Sequence, residues 1–266
     1  MEHFDMSLRI NGLTPTQMGL TVADLAGWAD GPSTSRGFVP RPGAFGGFAS
    51  DLESVAPRTM RIVGLITGQT VATRDAALST VMQNLEGTLE VEFDDSPNKV
   101  MICRLSSVTT AGVVSQSFVV SDLRVTIDLV AVQGVKLDKY SSIVRCKAST
   151  ANDGILVGTA PTLGRIWVHN ATNPVFTLSD FRGNSVESLT LTATIGAAES
   201  VLIDLYTQAI YDVDTEVTFT RNDAYLTAGD FFEVKPEYAD RANSVWPKLS
   251  VSSGEGWFEF RRAWRS

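Results

Sequence analysis

The sequence predicts a mainly β protein of two domains: an N-terminal β-domain carrying one α-helix, then a C-terminal antiparallel β-sandwich. Three observations lead there. Apolar residues recur at helical spacing in one stretch, Ala77, Leu78, Val81, Met82 and Leu85. Period-two alternation marks the rest of the first half. It is clearest where Leu123, Val125, Ile127, Leu129 and Ala131 alternate with Arg124, Thr126 and Asp128. Beyond residue 161 the chain reads as short, evenly spaced, turn-bounded strands, the pattern of an antiparallel sandwich.

Taken in order, residues 5–10 and 18–25 read as short strands split by the turn Gly12-Leu13-Thr14-Pro15. Gly31 to Gly47, rich in Gly and Pro, reads as a long loop. Phe38 and Phe45 sit in it and Phe48 follows it. Aromatics there suit docking, onto the chain's own domain or onto a neighbour, and both readings stay open. Arg58–Thr67 is the next strand. The helix is expected over Arg74–Glu86, with Thr73 as N-cap, Asp75 in the first turn and Gly87 in the left-handed position after its end. Strands follow at 88–93, 100–110 and 117–133, with another over 140–147. The polar, Gly-containing stretch Ser149–Pro161 reads as a linker. It places the domains at 1–148 and 149–266. The second domain's strands are expected at 163–169, 174–180, 186–195, 200–204, 209–211, 216–220, 230–235, 246–251 and 257–264. In the last, Phe258, Phe260 and Trp264 share one face, and Arg262 falls on that face as an edge or snorkelling residue.

Bulk properties narrow the function. With 44% hydrophobic and 20% charged residues the chain can build a core. A formal net charge of −8 opposes a duplex-binding face, because phosphate neutralisation needs a basic surface. Arg261, Arg262 and Arg265 read as a solvated strand face. Cys103 and Cys146, both in apolar strand patterns, read as buried free thiols, with a single bridge left open. The N-terminus carries no secretory pattern, and no apolar run approaches the ~20 residues of a membrane span. A soluble protein made in the cytoplasm is expected.

The residues of catalysis are not set out in any working pattern. His3 and His169 have no partner at metal-ligand spacing, and there is no Gly-x-Ser-x-Gly elbow, so neither zinc nor a triad is expected. Glu90 and Glu92 read as the solvent side of a strand. Asp94-Asp95-Ser96-Pro97-Asn98 is a turn without the Gly and terminal Glu of a calcium loop. Phosphate loops are absent. No enzyme activity, cofactor or metal is therefore expected. Trp28, Trp167, Trp246, Trp257 and Trp264 read first as packing residues. Trp246, before Pro247, and Trp257, after Gly256, are the ones best placed to stack on a glycan instead.

The blocks Arg61–Ile66, Asn84–Gly87, Leu89–Phe93 and Val100–Leu105, followed by Asn173–Phe176, Ser200–Asp204, Asp230–Val234 and Phe258–Trp264, together resemble the distal tail proteins of long, non-contractile-tailed bacteriophages. The resemblance implies a tail-tube-like N-terminal domain, six copies of which form a ring, and a galectin-like or carbohydrate-module-like sandwich projecting outward. It implies a structural, non-enzymatic virion component at the tail tip. Its partners would be further copies of itself, the tail tube protein above, and the tip hub with fibre or receptor-binding proteins below. DNA would pass through the ring without sequence recognition. Phe38, Phe45 and Phe48, with the sheet edges of the first domain, are the ring-interface candidates. An alternative function is a carbohydrate-binding module recognising host surface glycan through Trp246 and Trp257. The chain departs from the family pattern at Lys235–Ser244, which is longer than the family's Pro-Gly-x-Asn turn and lacks its Gly.

Overall fold

The structure is a computed structural model. It describes residues 8–28, 34–40, 47–68, 70–94, 96–112, 122–131, 133–147, 153–214 and 218–264, without the side chains of 34–40 and 47–55. The chain is mainly β with a single α-helix among the described residues, and it divides into two compact units between Leu137 and Asp138.

The first unit contains β1 (Leu8–Ile10), β2 (Thr21–Ala26), β3 (Thr34–Pro40), β4 (Gly47–Val55), β5 (Arg58–Thr67), α1 (Val71–Asn84), β6 (Thr88–Phe93), β7 (Lys99–Gly112) and β8 (Asp122–Ala131), with β9 (Lys136–Asp138) at the division. Its main sheet runs β1-β6-β7-β8-β5-β2, each neighbour antiparallel. The alternation in β8 does what it implies: Val125, Ile127 and Leu129 are fully buried and Ala131 nearly so. They meet Met60, Ile62 and Ile66 of β5 in one core, which α1 covers with Val81 and Leu85. Gly64 lets the edge strand approach, since a Cβ there would stand 2.8 Å from the Thr21 carbonyl oxygen.

Two elements differ from expectation. The helix begins three residues earlier, because Thr70 is the N-cap and Thr73 sits at N3. The Thr70 hydroxyl accepts from the Thr73 N–H at 3.2 Å, and the Thr73 hydroxyl oxygen accepts from the Thr70 N–H at 3.0 Å. This reciprocal box satisfies two otherwise open donors. It leaves Asp75 beyond the first turn, paired with Arg74 at 2.9 Å. Gly87 does take the left-handed conformation, φ +77°. The stretch read as a loop over Gly31–Gly47 contains β3, which pairs with β4 as a separate two-stranded ribbon. Gly37 falls where the register shifts between Arg36 and Phe38, the place a strand glycine commonly marks.

The second unit contains β10 (Ser142–Lys147), β11 (Gly164–Thr172), β12 (Val175–Ser179), β13 (Ser185–Leu191), β14 (Thr194–Asp204), β15 (Ala209–Val213), β16 (Phe219–Arg221), β17 (Leu226–Gly229), β18 (Lys248–Val251), β19 (Glu255–Phe260) and β20 (Ala263–Trp264). A six-stranded sheet, β10-β19-β11-β14-β15-β16, and a four-stranded sheet, β17-β13-β12-β18, enclose the core. Phe258 and Phe260 stack within it, ring centroids 5.1 Å apart, in company with the buried Phe176 and Leu178 of the opposite sheet. This is the expected sandwich.

Here too the polar composition misled. Residues 153–161 are not a free linker: Ile155 and Ala160 are fully buried, Val157 nearly so, and the Ile155 N–H donates to the Pro247 carbonyl at 2.8 Å. β10 pairs along its whole length with β19, so it belongs to the sandwich and the division falls ahead of residue 148. Residues 230–235 form no regular strand. Val234 makes a single bridge with Thr162, and the neighbouring strand is β17. The run 186–195 breaks at Thr192-Ala193 between β13 and β14. Arg262, the odd charge on an apolar face, is resolved by an ion pair with Asp138, whose carboxylate also accepts from the Trp264 indole N–H at 2.7 Å. At 235–244 the missing glycine is replaced by local hydrogen bonding. Asp240 accepts from the Asn243 backbone and side-chain N–H groups at 3.2 and 2.8 Å, and Ser244 takes φ +55°.

Gly158 tests the integration of this segment. A Cβ there would lie 1.9 Å from the Ala263 carbonyl oxygen. Gly158→Ala is expected to destabilise the sandwich by at least ~1–3 kcal/mol in chemical denaturation, as overpacking does. A change within about 0.5 kcal/mol, ordinary for a surface linker, would refute it.

Candidate functional site

Alternation gives each sheet a second face. On the first unit's sheet that face is mixed, with Val63, Leu65 and Val130 among Arg124, Thr126 and a charged pair. Arg61 and Asp128 are register partners and form a bidentate pair at 2.7 and 3.1 Å, with the Ser107 hydroxyl donating to the same carboxylate at 3.1 Å. The Arg61 hydrogen bonds hold the Asp128 carboxyl below the usual carboxylate range. Glu90 and Glu92 stand opposite the buried Leu89, Val91 and Phe93 of β6.

The outer face of the six-stranded sheet is different. Its register places one residue from each strand on a single rung: Arg145 of β10, Trp257 of β19, Trp167 of β11, Leu202 of β14, Tyr211 of β15 and Arg221 of β16. The core-facing residues on either side of these, such as Ile166, Val168 and Phe258, are fully buried, so the rung points away from the interior. Trp257, Trp167 and Tyr211 remain partly exposed. The next rung carries Lys147, Glu255, His169, Ser200, Val213 and Phe219. His169 stacks on Trp257 with centroids 4.7 Å apart. Phe219, 47% exposed, meets Trp167 and Tyr211 edge-on at 6.2 and 6.4 Å. The rung on the other side carries Ile143, Glu259, Arg165, Asp204 and Ala209. Charges pair across these strands, Arg145 with Glu255 at 2.6 Å and Arg165 with Asp204 at 3.2 Å.

The residues singled out from sequence are thus dispersed. Trp257 lies on this face, whereas Trp246 packs against the core beside β18, its Cβ so close to Gly154 that no side chain fits there. Phe38 and Phe48 fall on adjacent rungs of the β3–β4 ribbon, with side chains outside the described residues, and Phe45 lies outside them entirely. His3, Asp95 and Arg265 also lie outside. Among the described residues no three His, Cys, Asp or Glu side chains are grouped to hold a metal, and no helix is long and apolar enough to cross a membrane. A cleft of about 250 Å³ beside β14 and β15 gathers Glu199, Asp212 and Asp214. Their carboxylates close local structure, accepting from the Gly196 N–H, the Asn222 amide and the Thr218 N–H at 2.9–3.1 Å. Sequence reasoning missed Trp167, Tyr211 and Phe219 as companions of Trp257. The available signal was the alternation of Arg165, Trp167 and His169 against Ile166 and Val168.

Both cysteines are free and buried, and burial pushes each thiol up to about 12.

No protein-family model matches the sequence, and no curated protein matches it. Solved structures do match in fold, over nearly the whole chain, and the class they define is that of phage adsorption-apparatus and baseplate proteins. The particular likeness is to the Dit protein of phage SPP1, described as a paradigm of the hub adsorption apparatus in phages infecting Gram-positive bacteria. The TM-score is 0.67 at 15% identity, covering 97% of this chain and 98% of that one. Chains of the phage p2 baseplate in its activated conformation also match. The strontium form gives a TM-score of 0.53 at 9% identity over 97% and 98% of the two chains. The calcium form gives 0.50 at 9% over 98% and 92%. The distal-tail-protein resemblance seen in the sequence is therefore met in the fold.

Two measurements follow. Native protein at pH 8 is expected to resist iodoacetamide at both cysteines, and unfolded protein to take up two labels, read by intact mass. Asp128→Asn is expected to cost about 0.2–1 kcal/mol at pH 7, the range of partly exposed pairs. Because the folded carboxyl titrates below its unfolded value of about 3.9, this contribution is present above that pH and lost as pH falls through the folded pKa. The wild-type and variant denaturation midpoints should accordingly converge in acid.

Proposed function

We propose that this protein is a structural component of a phage tail tip or baseplate, forming a homohexameric ring that joins the tail tube to the tip hub and host-recognition proteins. The observation that carries the reading is the likeness to phage hub and baseplate chains across both units rather than one. A ring requires a head-to-tail interface that closes on itself. The β3–β4 ribbon pairs with no other strand among the described residues, and it carries Phe38 and Phe48, with Phe45 between its strands. These three aromatics and the edge strand β2 are the interface we assign. The role is architectural, the location is the virion tail tip, and DNA crosses the ring without being read.

Light scattering after size exclusion, with negative-stain imaging of the largest peak, tests this directly. The expected outcome is a six-subunit ring with a central opening. Replacing Phe38, Phe45 and Phe48 together with Ser is expected to shift the mass toward monomer while leaving the circular-dichroism spectrum unchanged. Wild-type protein that stays monomeric at every concentration, alone and with its tube protein, would count against the ring.

A further inference from the structure

We propose that Asn11–Gly12 is a self-modification site, a succinimide-forming pair that the folded hairpin holds shut and that converts when β1 leaves β6. It is the chain's single Asn-Gly step. Asn11 at φ +51° and Gly12 at φ +80° make a two-residue turn, with the positive φ at both positions that the commonest hairpin turn requires. Ile10 and Leu13 close it, each donating its N–H to the other's carbonyl at 2.9 and 3.0 Å. Both turn residues are exposed, and nothing lies within 4 Å of where a Gly12 Cβ would stand. Solvent therefore reaches the linkage, and the Gly12 nitrogen has no side chain of its own to shield it.

The chemistry is internal to the chain. The Gly12 nitrogen gives its proton to solvent and bonds to Asn11 Cγ, the Cγ–Nδ2 bond breaks, and Nδ2 leaves as ammonia. Water then opens the cyclic imide at either carbonyl, giving aspartate or isoaspartate. Attack needs the Asn11 carboxamide folded over its own backbone, and the structure fixes it elsewhere. Its Oδ1 accepts from the Glu90 N–H at 2.8 Å, while the Asn11 N–H donates to the Glu90 carbonyl at 2.8 Å. These two bonds carry the β1–β6 register one residue past Ile10 and Val91. A side-chain oxygen stands where an antiparallel pair would use the backbone carbonyl. The reaction therefore costs a ladder pair, and the strand bearing it is held down by Leu8 and Ile10, both buried in the core. Local opening of the edge strand sets the rate. The two products differ. Aspartate keeps an oxygen for the Glu90 N–H. Isoaspartate routes the main chain through the former side chain and adds a methylene to a turn with no residue to spare. A chain so altered while open no longer matches the β6 register, a chemical route to irreversible unfolding. The inference is independent of the ring.

The test incubates full-length protein at pH 8, one portion native and one in guanidinium chloride, and weighs the tryptic peptide of residues 10–36 over time. That peptide holds no other asparagine, so the mass gain of an amide turned to an acid reports Asn11. The gain is expected to be at least tenfold faster in the unfolded portion, a ratio equivalent to about 1.4 kcal/mol of local closure. Gly12→Ala, read in denaturant where folding plays no part, is expected to slow the gain tenfold or more. Equal rates in the two portions, no gain in denaturant, or a gain indifferent to Gly12→Ala overturns the proposal.

Discussion

The second unit depends on the register of β19. Between β10 and β11 this strand turns Phe258 and Phe260 into the sandwich and Trp257 and Glu259 out of it. A slip of one residue would exchange the two sets, emptying the core of its stacked phenylalanines and erasing the aromatic rung together. Fold and surface are here two readings of one hydrogen-bond ladder. The apolar side is the stronger constraint, since truncating a buried phenylalanine costs about 3–5 kcal/mol. The outward residues are placed by a register they do little to set.

The first unit applies the same constraint with a different cover. β8 lies between β5 and β7 and buries alternate residues, and the lid is a helix rather than a second sheet. The Thr70–Thr73 box fixes where that helix starts, which fixes Val81 and Leu85 over the core. The opposite face is tied by the Arg61–Asp128–Ser107 network across three strands. Both outer faces carry cross-strand ion pairs, and the sandwich's adds a row of aromatic rings.

Much of this was legible in the sequence wherever a buried face imposes a period. β5 and β8 and the apolar stripe of α1 could be read from spacing alone. What escaped lacked that imprint. β3 pairs only with β4 among the described residues, and in the sequence the Gly and Pro residues in and around it suggested a loop. Ile155 and Val157 were hidden by the Ser, Thr, Asn and Gly around them. The helix start was concealed by Val71 and Thr73 in the first turn, both poor helix formers, of which Thr73 completes the capping box with Thr70. The aromatic rung was unreadable for a deeper reason. Trp257, Trp167 and Tyr211 come from strands adjacent in space but distant in sequence, and strand order is a tertiary fact. Trp257 and Trp167 could each be noticed, but not that they are neighbours on one rung.

The pairing of Ser142 with Phe260 has an evolutionary consequence. The first regular strand of the sandwich and its last long strand are zipped antiparallel from end to end, so the polypeptide arrives and departs about one strand spacing apart. Asp138, gripped by Arg262 and Trp264, fastens that junction. A segment bounded in this way behaves as a cassette. Everything between the two strands can be exchanged for another β-sandwich with adjacent ends without rerouting the chain on either side, so the fold lets this segment vary as one piece while the rest of the chain is inherited intact.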